Sequence, residues 1–204
     1  MLPEPMLAKS APLPTSRGWA FEPKFDGFRA IVRTGDDFGV RSRRGWRMTE
    51  LLPEFQAIPV SGVFDGELIS LDRDGRPSFE RVSRRMLMRG GSISVSLVLF
   101  DVLELEGEDT MRLPYRRRHE LLESLDFGEA CEVCPRFDNG AALWQVVVER
   151  RLEGVVAKRL EEPYRAGERS WVKRKNPDWP RYEAEREAVI RERARRPRGK
   201  ARLE

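Results

Sequence analysis

One histidine and two cysteines are all that this chain carries of imidazole and thiol chemistry. A structural zinc site takes about four ligands, so Cys131-x-x-Cys134 with His119 alone cannot complete one. A redox pair of that spacing would open a helix. Here Glu132 and Val133 lie in a strand-like stretch ended by Pro135, where positions i and i+3 face opposite sides. Two ordinary reduced thiols are the expectation. No apolar run approaches membrane-spanning length. The opening Met1-Leu2-Pro3-Glu4-Pro5 lacks the basic-then-apolar pattern of a secretory leader. No membrane partner and a cytoplasmic location are therefore expected. There is no internal repeat. Nor is there a strong charge of one sign: 38 Lys and Arg against 34 Asp and Glu leave +4. That allows a polyanionic partner without demanding one.

What is present is enough for one well-packed domain. Of 204 residues, 40% are hydrophobic and 35% charged, a size at which a single core buries most of its apolar surface. The expected division is a domain over 1–180 and a basic tail over 181–204. The tail reads as a charged helix over 181–196, then disorder. Residues 1–18, rich in proline, read as an extended arm. Strands are predicted on both sides of a bend at Asp26-Gly27, over 38–42 and 63–71, and within 92–105, where Leu97-Val98-Leu99-Phe100 is the most apolar run. Short strands follow near Val133, over 155–157 and at 171–172. Thr49 is placed to cap a short helix through Phe55, and Ser78 to cap a basic helix over 79–88. Helices are also predicted over 115–125, with Leu121, Leu122 and Leu125 inward and Arg116 to Arg118 elsewhere, and over 139–151. Strand pairs with scattered helices and no regular βαβ alternation indicate an α+β domain on antiparallel sheet.

The stretch that organises the chain is Phe21-Glu22-Pro23-Lys24-Phe25-Asp26-Gly27-Phe28-Arg29. Its alternation reads as a hairpin presenting the Lys24 amine beside Asp26 and Arg29. Spacing alone favours a plain charged surface hairpin, in which Lys24→Ala would cost little stability. The wording Lys-x-Asp-Gly-x-Arg, with Glu22 two residues earlier, resembles the nucleotide-attachment motif of covalent nucleotidyltransferases: ATP-dependent DNA ligases, RNA ligases and mRNA capping enzymes.

Further stretches resemble that family's motifs in order. Ser42-Arg43-Arg44-Gly45 resembles the segment presenting an arginine to phosphate, a role that suits a bidentate guanidinium; Arg44 itself reads as surface turn. Phe64-Asp65-Gly66-Glu67-Leu68-Ile69 resembles the third motif, which implies Glu67 as a ribose or metal ligand. Leu99-Phe100-Asp101 resembles the segment whose ring stacks on the base, although Phe100 also reads as core. Leu152-Glu153-Gly154-Val155-Val156-Ala157-Lys158 is similar to the fourth motif. It implies Glu153 as a metal ligand and Lys158 on the α-phosphate. Trp171-Val172-Lys173-Arg174-Lys175 is similar to the fifth, and its two lysines share one strand face. The plainer alternative for such a strand is an edge that uses lysines against aggregation.

Together these are most similar to bacterial ATP-dependent DNA ligases of the ligase C and D type, whose adenylation domain is an antiparallel-sheet, ATP-grasp-like nucleotidyltransferase fold. The resemblance implies ATP and Mg2+ (or Mn2+), Glu22 reading the adenine amino group, and a covalent lysyl-AMP at Lys24. It also implies a crowd of cations (Arg29, Lys158, Lys173, Lys175) favouring the neutral amine. Asp26 belongs to the same catalytic constellation. The implied substrate is nicked or broken double-stranded DNA, gripped through phosphates in a salt-sensitive way. Such ligases carry an OB-fold domain after the fifth motif, and too few residues follow Lys175 for one. A truncated chain, a relative that never had the domain, or a repair-protein or separate OB-fold partner are the expectations that follow. RNA ligase, capping-enzyme and idle nucleic-acid-binding readings share parts of this pattern.

Overall fold

The computed structural model describes residues 2–88 and 92–179. The expected helix and disorder over 181–204 lie outside them. The domain is α+β, built from two sheets facing each other. The first takes the order β1 (Leu7–Ser10), β10 (Arg169–Lys175), β9 (Gly154–Arg159), β2 (Trp19–Lys24). The second takes the order β4 (Gly39–Ser42), β3 (Phe28–Thr34), β5 (Gly62–Ile69), β6 (Ser96–Leu105), β7 (Glu108–Asp109), with β8 (Cys131–Val133) also paired to β6. Most pairings are antiparallel, but β1–β10 and β6–β8 are parallel. Among the described residues, no helix is long and apolar enough to cross a membrane.

The period of two along each strand sorts the side chains into layers. On β3 and β5, Ala30, Val32, Phe64 and Leu68 point to one core cluster, with Phe55, Val82 and Leu122 beyond them. Ile31, Val63 and Ile69 point the other way, into a cluster shared with Met6 and Trp171 of the first sheet. On the far side of the first sheet, Trp19, Phe21, Val155 and Val172 meet Leu143 and Val147 of α3 (Gly140–Glu149). Cys131 and Cys134 are free and fall in different clusters, as their spacing in a strand predicts.

Helix boundaries follow their caps. Ser78 accepts from Arg81 N at the start of α1 (Phe79–Leu87), and Asn139 accepts from Ala142 N at the start of α3. Thr49 departs from expectation. Its hydroxyl accepts from Val40 N instead of capping, and two short 3-10 turns, Thr49–Leu51 and Pro53–Ala57, replace the predicted helix. Pro53 lacks the N–H an uninterrupted helix would use. Within α2 (Tyr115–Glu123), Leu122 is buried as predicted, but so is Arg118, at 0% exposure.

A second correction concerns the central stretch. β2 and β3 are not a hairpin: β2 pairs with β9, and β3 pairs with β4 and β5. The chain crosses from one sheet to the other at Phe25-Asp26-Gly27. A Cβ at Gly27 would lie 2.0 Å from Leu68 O, so only glycine permits the crossing to pass this close to β5. The N-terminal arm is likewise not simply wrapped on the surface, since its Leu7–Ser10 part is an added strand.

Candidate active site

Where the two sheets splay apart they leave a cleft of about 590 Å3. Glu22, Lys24, Asp26, Arg29, Arg43, Glu67, Phe100, Glu153, Lys158, Lys173 and Lys175 all line it. Strand register explains the convergence. Lys24, Gly154 and Lys175 sit level across β2, β9 and β10, and Glu22, Val156 and Lys173 form the next row. Gly154 lacks a side chain between the two lysines, and a Cβ there would meet Arg174 O at 2.2 Å. Both amines therefore reach the residue before it. Lys24 Nζ lies 2.6 Å from Glu153 Oε2, and Lys175 Nζ lies 3.3 Å from Glu153 Oε1. Glu153 is buried, so these contacts act at low dielectric. Lys24 thus pairs with Glu153, a partner that its sequence neighbourhood did not suggest.

Two of the cations expected to face phosphate also hold partners within the protein. The Arg29 guanidinium donates from Nε to Asp65 Oδ1 at 2.6 Å, and from Nη2 to Asp65 Oδ2 at 2.5 Å and to Met6 O at 2.9 Å. It lies 4.8 Å from the Phe100 ring centre and 5.0 Å from that of Trp171. Asp65 raises its affinity for the proton beyond what burial removes. Lys158, 1% exposed, donates to Glu22 Oε1 and to Phe100 O, both at 2.8 Å. Two of its three N–H donors thus serve the Glu22 end of the cleft. Lys173 and Arg43 complete the cationic wall. Burial pushes the Lys173 amine down, helped by Lys24, Lys175 and Arg43, so an anion arriving there relieves repulsion as well as making contacts.

Phe100 sits at a bulge, since Asp65 and Gly66 pair with Asp101 and Leu99 and skip it. A bulge re-aims a side chain and frees its carbonyl; here that carbonyl holds Lys158. Two tyrosines to which the sequence alone assigns no role also serve the site. The Tyr115 hydroxyl hydrogen-bonds Glu22 Oε1, and the Tyr164 hydroxyl donates to Asp65 Oδ2 at 2.6 Å. Asp65 was recognisable as the residue two before Glu67, on the same strand face. Nothing local marks Tyr115.

Glu67 accepts from Gly27 N at 3.1 Å, tying the crossover to β5. Burial pushes its carboxyl up to about 7, against the pull of Lys24 and Arg29. Because the folded value lies above the ordinary 4.5, the protonated form is favoured by folding. This group's contribution to stability is present below about 4.5 and lost as pH rises through about 7. In EDTA, the melting midpoint should show this fall across the window, and Glu67→Gln should lack it. A wild-type minus Gln difference that stays flat with pH would overturn the assignment.

Among the described residues no group of three His, Cys, Asp or Glu side chains could hold a metal ion by itself. Glu67 and Glu153 nevertheless suit Mg2+, which takes one or two carboxylates and completes its shell with water and substrate phosphates. An ion at Glu153 must compete with Lys24 and Lys175 for its two oxygens.

Residues 5–175 match the family described as ATP dependent DNA ligase domain. The multifunctional non-homologous end joining protein LigD of Mycolicibacterium smegmatis is 35% identical over 184 residues, covering 84% of this chain and 23% of that protein. The SPbeta prophage-derived DNA ligase-like protein LigB of Bacillus subtilis is 31% identical over 187 residues, covering 88% and 69%. A solved structure of mycobacterial DNA ligase D complexed with ATP and MES superposes with a TM-score of 0.75 at 32% identity, covering 85% of this chain and 60% of that one. The chain thus spans about a quarter of the first relative and most of the second.

Proposed function

The chain belongs to the ATP-dependent DNA ligase domain family, and on that premise we propose that it uses Lys24 to carry AMP from ATP to a DNA 5′-phosphate. The observation that carries the reading is the placement of the Lys24 amine. It stands at the mouth of the crossover, 2.6 Å from a buried carboxylate and level with Lys175, inside a cation-lined cleft. Phosphoryl transfer asks a protein mainly for positioning and charge, and this wall supplies both.

Lys24 Nζ attacks the α-phosphorus, the Nζ–P bond forms, and the bond to pyrophosphate breaks. A lysine is ordinarily protonated at neutral pH, so Nζ must first lose a proton, and Glu153 Oε2 is the carboxylate within reach. Lys173 and Lys175 face the phosphates. Phe100, with Glu22 held by Lys158 and Tyr115, receives the adenine. A divalent cation held by Glu67 and Glu153 would supply charge neutralisation on the phosphate oxygens. In the next step a DNA 5′-phosphate oxygen displaces the lysine from phosphorus. A 3′-hydroxyl then attacks that 5′-phosphate and AMP leaves. Exposed Arg44 and Trp46 beside Arg43 extend the cleft wall with the cation-and-aromatic chemistry that grips a polynucleotide. A nick or break in duplex DNA is the substrate this reading assigns, which places the protein with the nucleoid.

The direct test is mass spectrometry after incubation with Mg2+ and each of the four NTPs. A gain of one AMP from ATP, on Lys24, supports the reading. A GMP adduct would shift it to a capping-type enzyme, and no adduct would leave a binding module.

Phe100 gives a second check. Stacking on an aromatic ring contributes roughly 1–3 kcal/mol per base, whereas Phe→Leu at this 9%-exposed site changes core volume modestly. Phe100→Leu should weaken ATP binding at least about fivefold and move the melting midpoint by only a few degrees. A large melting loss with unchanged ATP affinity would reduce Phe100 to packing.

A further inference from the structure

The geometry points to Tyr164 as a positioning residue of the nucleotide site, acting through a closed ring of hydrogen bonds that fixes the Arg29 guanidinium. The ring runs through four residues distant in sequence. Met6 N donates to Tyr164 Oη at 2.7 Å, and Tyr164 Oη donates to Asp65 Oδ2 at 2.6 Å. Asp65 accepts two bonds from Arg29, and Arg29 Nη2 returns to Met6 O at 2.9 Å. Every member is buried except the guanidinium, which keeps 16% of its side-chain surface exposed.

Two consequences follow from which atoms are used. Nε and Nη2 of Arg29 are consumed by the ring, while Nη1 has no hydrogen-bond partner among the described residues. Arg29 lines the cleft, so Nη1 is the nitrogen left for a ligand's oxygen. The planar guanidinium is also pinned from both sides of the cleft: Asp65 belongs to β5, and Met6 precedes β1 on the opposite sheet. Tyr164 bridges the two pins, holding Met6 N and Asp65 Oδ2 with one hydroxyl. The arm is held elsewhere by Arg41 at Leu2 O and Pro3 O and by the β1–β10 pairing. Without the hydroxyl, however, the hydrogen-bonded link between Met6 and Asp65 runs through Arg29 alone, which loosens the angle at which Nη1 is presented. A misplacement of about 1 Å at a reacting centre costs on the order of 100-fold.

The ring of Tyr164 has a separate packing role, edge-on to Trp171 at 6.0 Å and under the Arg118 guanidinium at 5.8 Å. Tyr164→Phe keeps that packing and deletes only the hydroxyl. This assignment rests on the adenylation reading, so two readouts separate them. The first is the rate of AMP labelling of the full chain at limiting ATP. The second is ATP affinity by calorimetry in EDTA, where no label forms. Tyr164→Phe should lose roughly 10- to 100-fold in labelling kcat/KM and weaken ATP binding, while melting within a few degrees of the parent. In an Arg29→Lys background the same change should add no more than about twofold, the ordinary error of additivity for independent sites. A structural role alone would repeat its full loss in that background. Equal labelling and equal affinity, or additive losses, overturn the proposal. An unlabelled parent chain would remove the adenylation reading, and the calorimetric comparison would still decide this one: weaker ATP binding by Tyr164→Phe supports it, unchanged binding overturns it.

Discussion

Lys24→Arg is expected to give a folded protein that takes up no AMP at all, and Lys24→Ala one equally unlabelled but less stable. A guanidinium stays protonated and is no nucleophile, so the arginine variant loses the chemistry while keeping a cation against Glu153. Alanine removes that cation. Glu153 is 3% exposed and would be left with Lys175 at 3.3 Å. Breaking a fully buried pair costs about 3–5 kcal/mol. Because Lys24 is itself 21% exposed and one partner remains, a loss of about 1–2 kcal/mol is the reasonable scale. Label and melting midpoint are read on the same three samples. Label persisting on either variant would end the assignment of Lys24. Equal melting of the alanine variant and the parent would instead mean that Lys175 alone satisfies Glu153. An exposed hairpin lysine, as local spacing implies, would give only a small stability loss.

The second large effect is at Arg118, which touches no proposed ligand. Its guanidinium grips Asp101 in a bidentate pair, Nε to Oδ1 at 2.6 Å and Nη2 to Oδ2 at 3.1 Å. Nη1 serves the carbonyls of Leu113 and Glu162. Both charges of the pair are fully buried. Arg118→Ala leaves the buried Asp101 carboxylate without its counter-charge and Leu113 O without its donor, while Glu162 O keeps Tyr115 N. The cost is about 3–5 kcal/mol, or roughly 10–15 °C in melting midpoint for a domain of this size. Asp101 adjoins the Phe100 bulge, so ATP affinity should fall with it. The double change Arg118→Met with Asp101→Leu should recover part of the stability, because replacing both charges removes the uncompensated one. A double variant no more stable than Arg118→Ala would show that the carbonyl contacts, rather than the ion pair, dominate.

Much of this molecule is written locally in its sequence. Strand alternation placed Lys173 and Lys175 on one face, and also sends Cys131 and Cys134 to different cores. Ser78 and Asn139 marked their helix starts because a side-chain oxygen satisfies an otherwise orphaned backbone N–H. The residues of the proposed site were legible too, because Lys24, the carboxylates Glu67 and Glu153, and the paired Lys173 and Lys175 occur in short ordered motifs that the strands then bring to one cleft.

What tertiary structure decided is who holds whom. Local alternation on the two sides of Asp26-Gly27 is the same for a hairpin as for strands that part into different sheets, and only pairing with β9 and β5 separates them. That parting opens the cleft. Arg118 lies on a helix whose local pattern is charged, and its burial depends on Asp101, 17 residues away in sequence. Arg29 is held by Met6 and Asp65, and Lys158 by Glu22 and Phe100. A buried charge is stable only with partners at hydrogen-bond distance. Those partners come from wherever the fold brings them, and no window of sequence contains them.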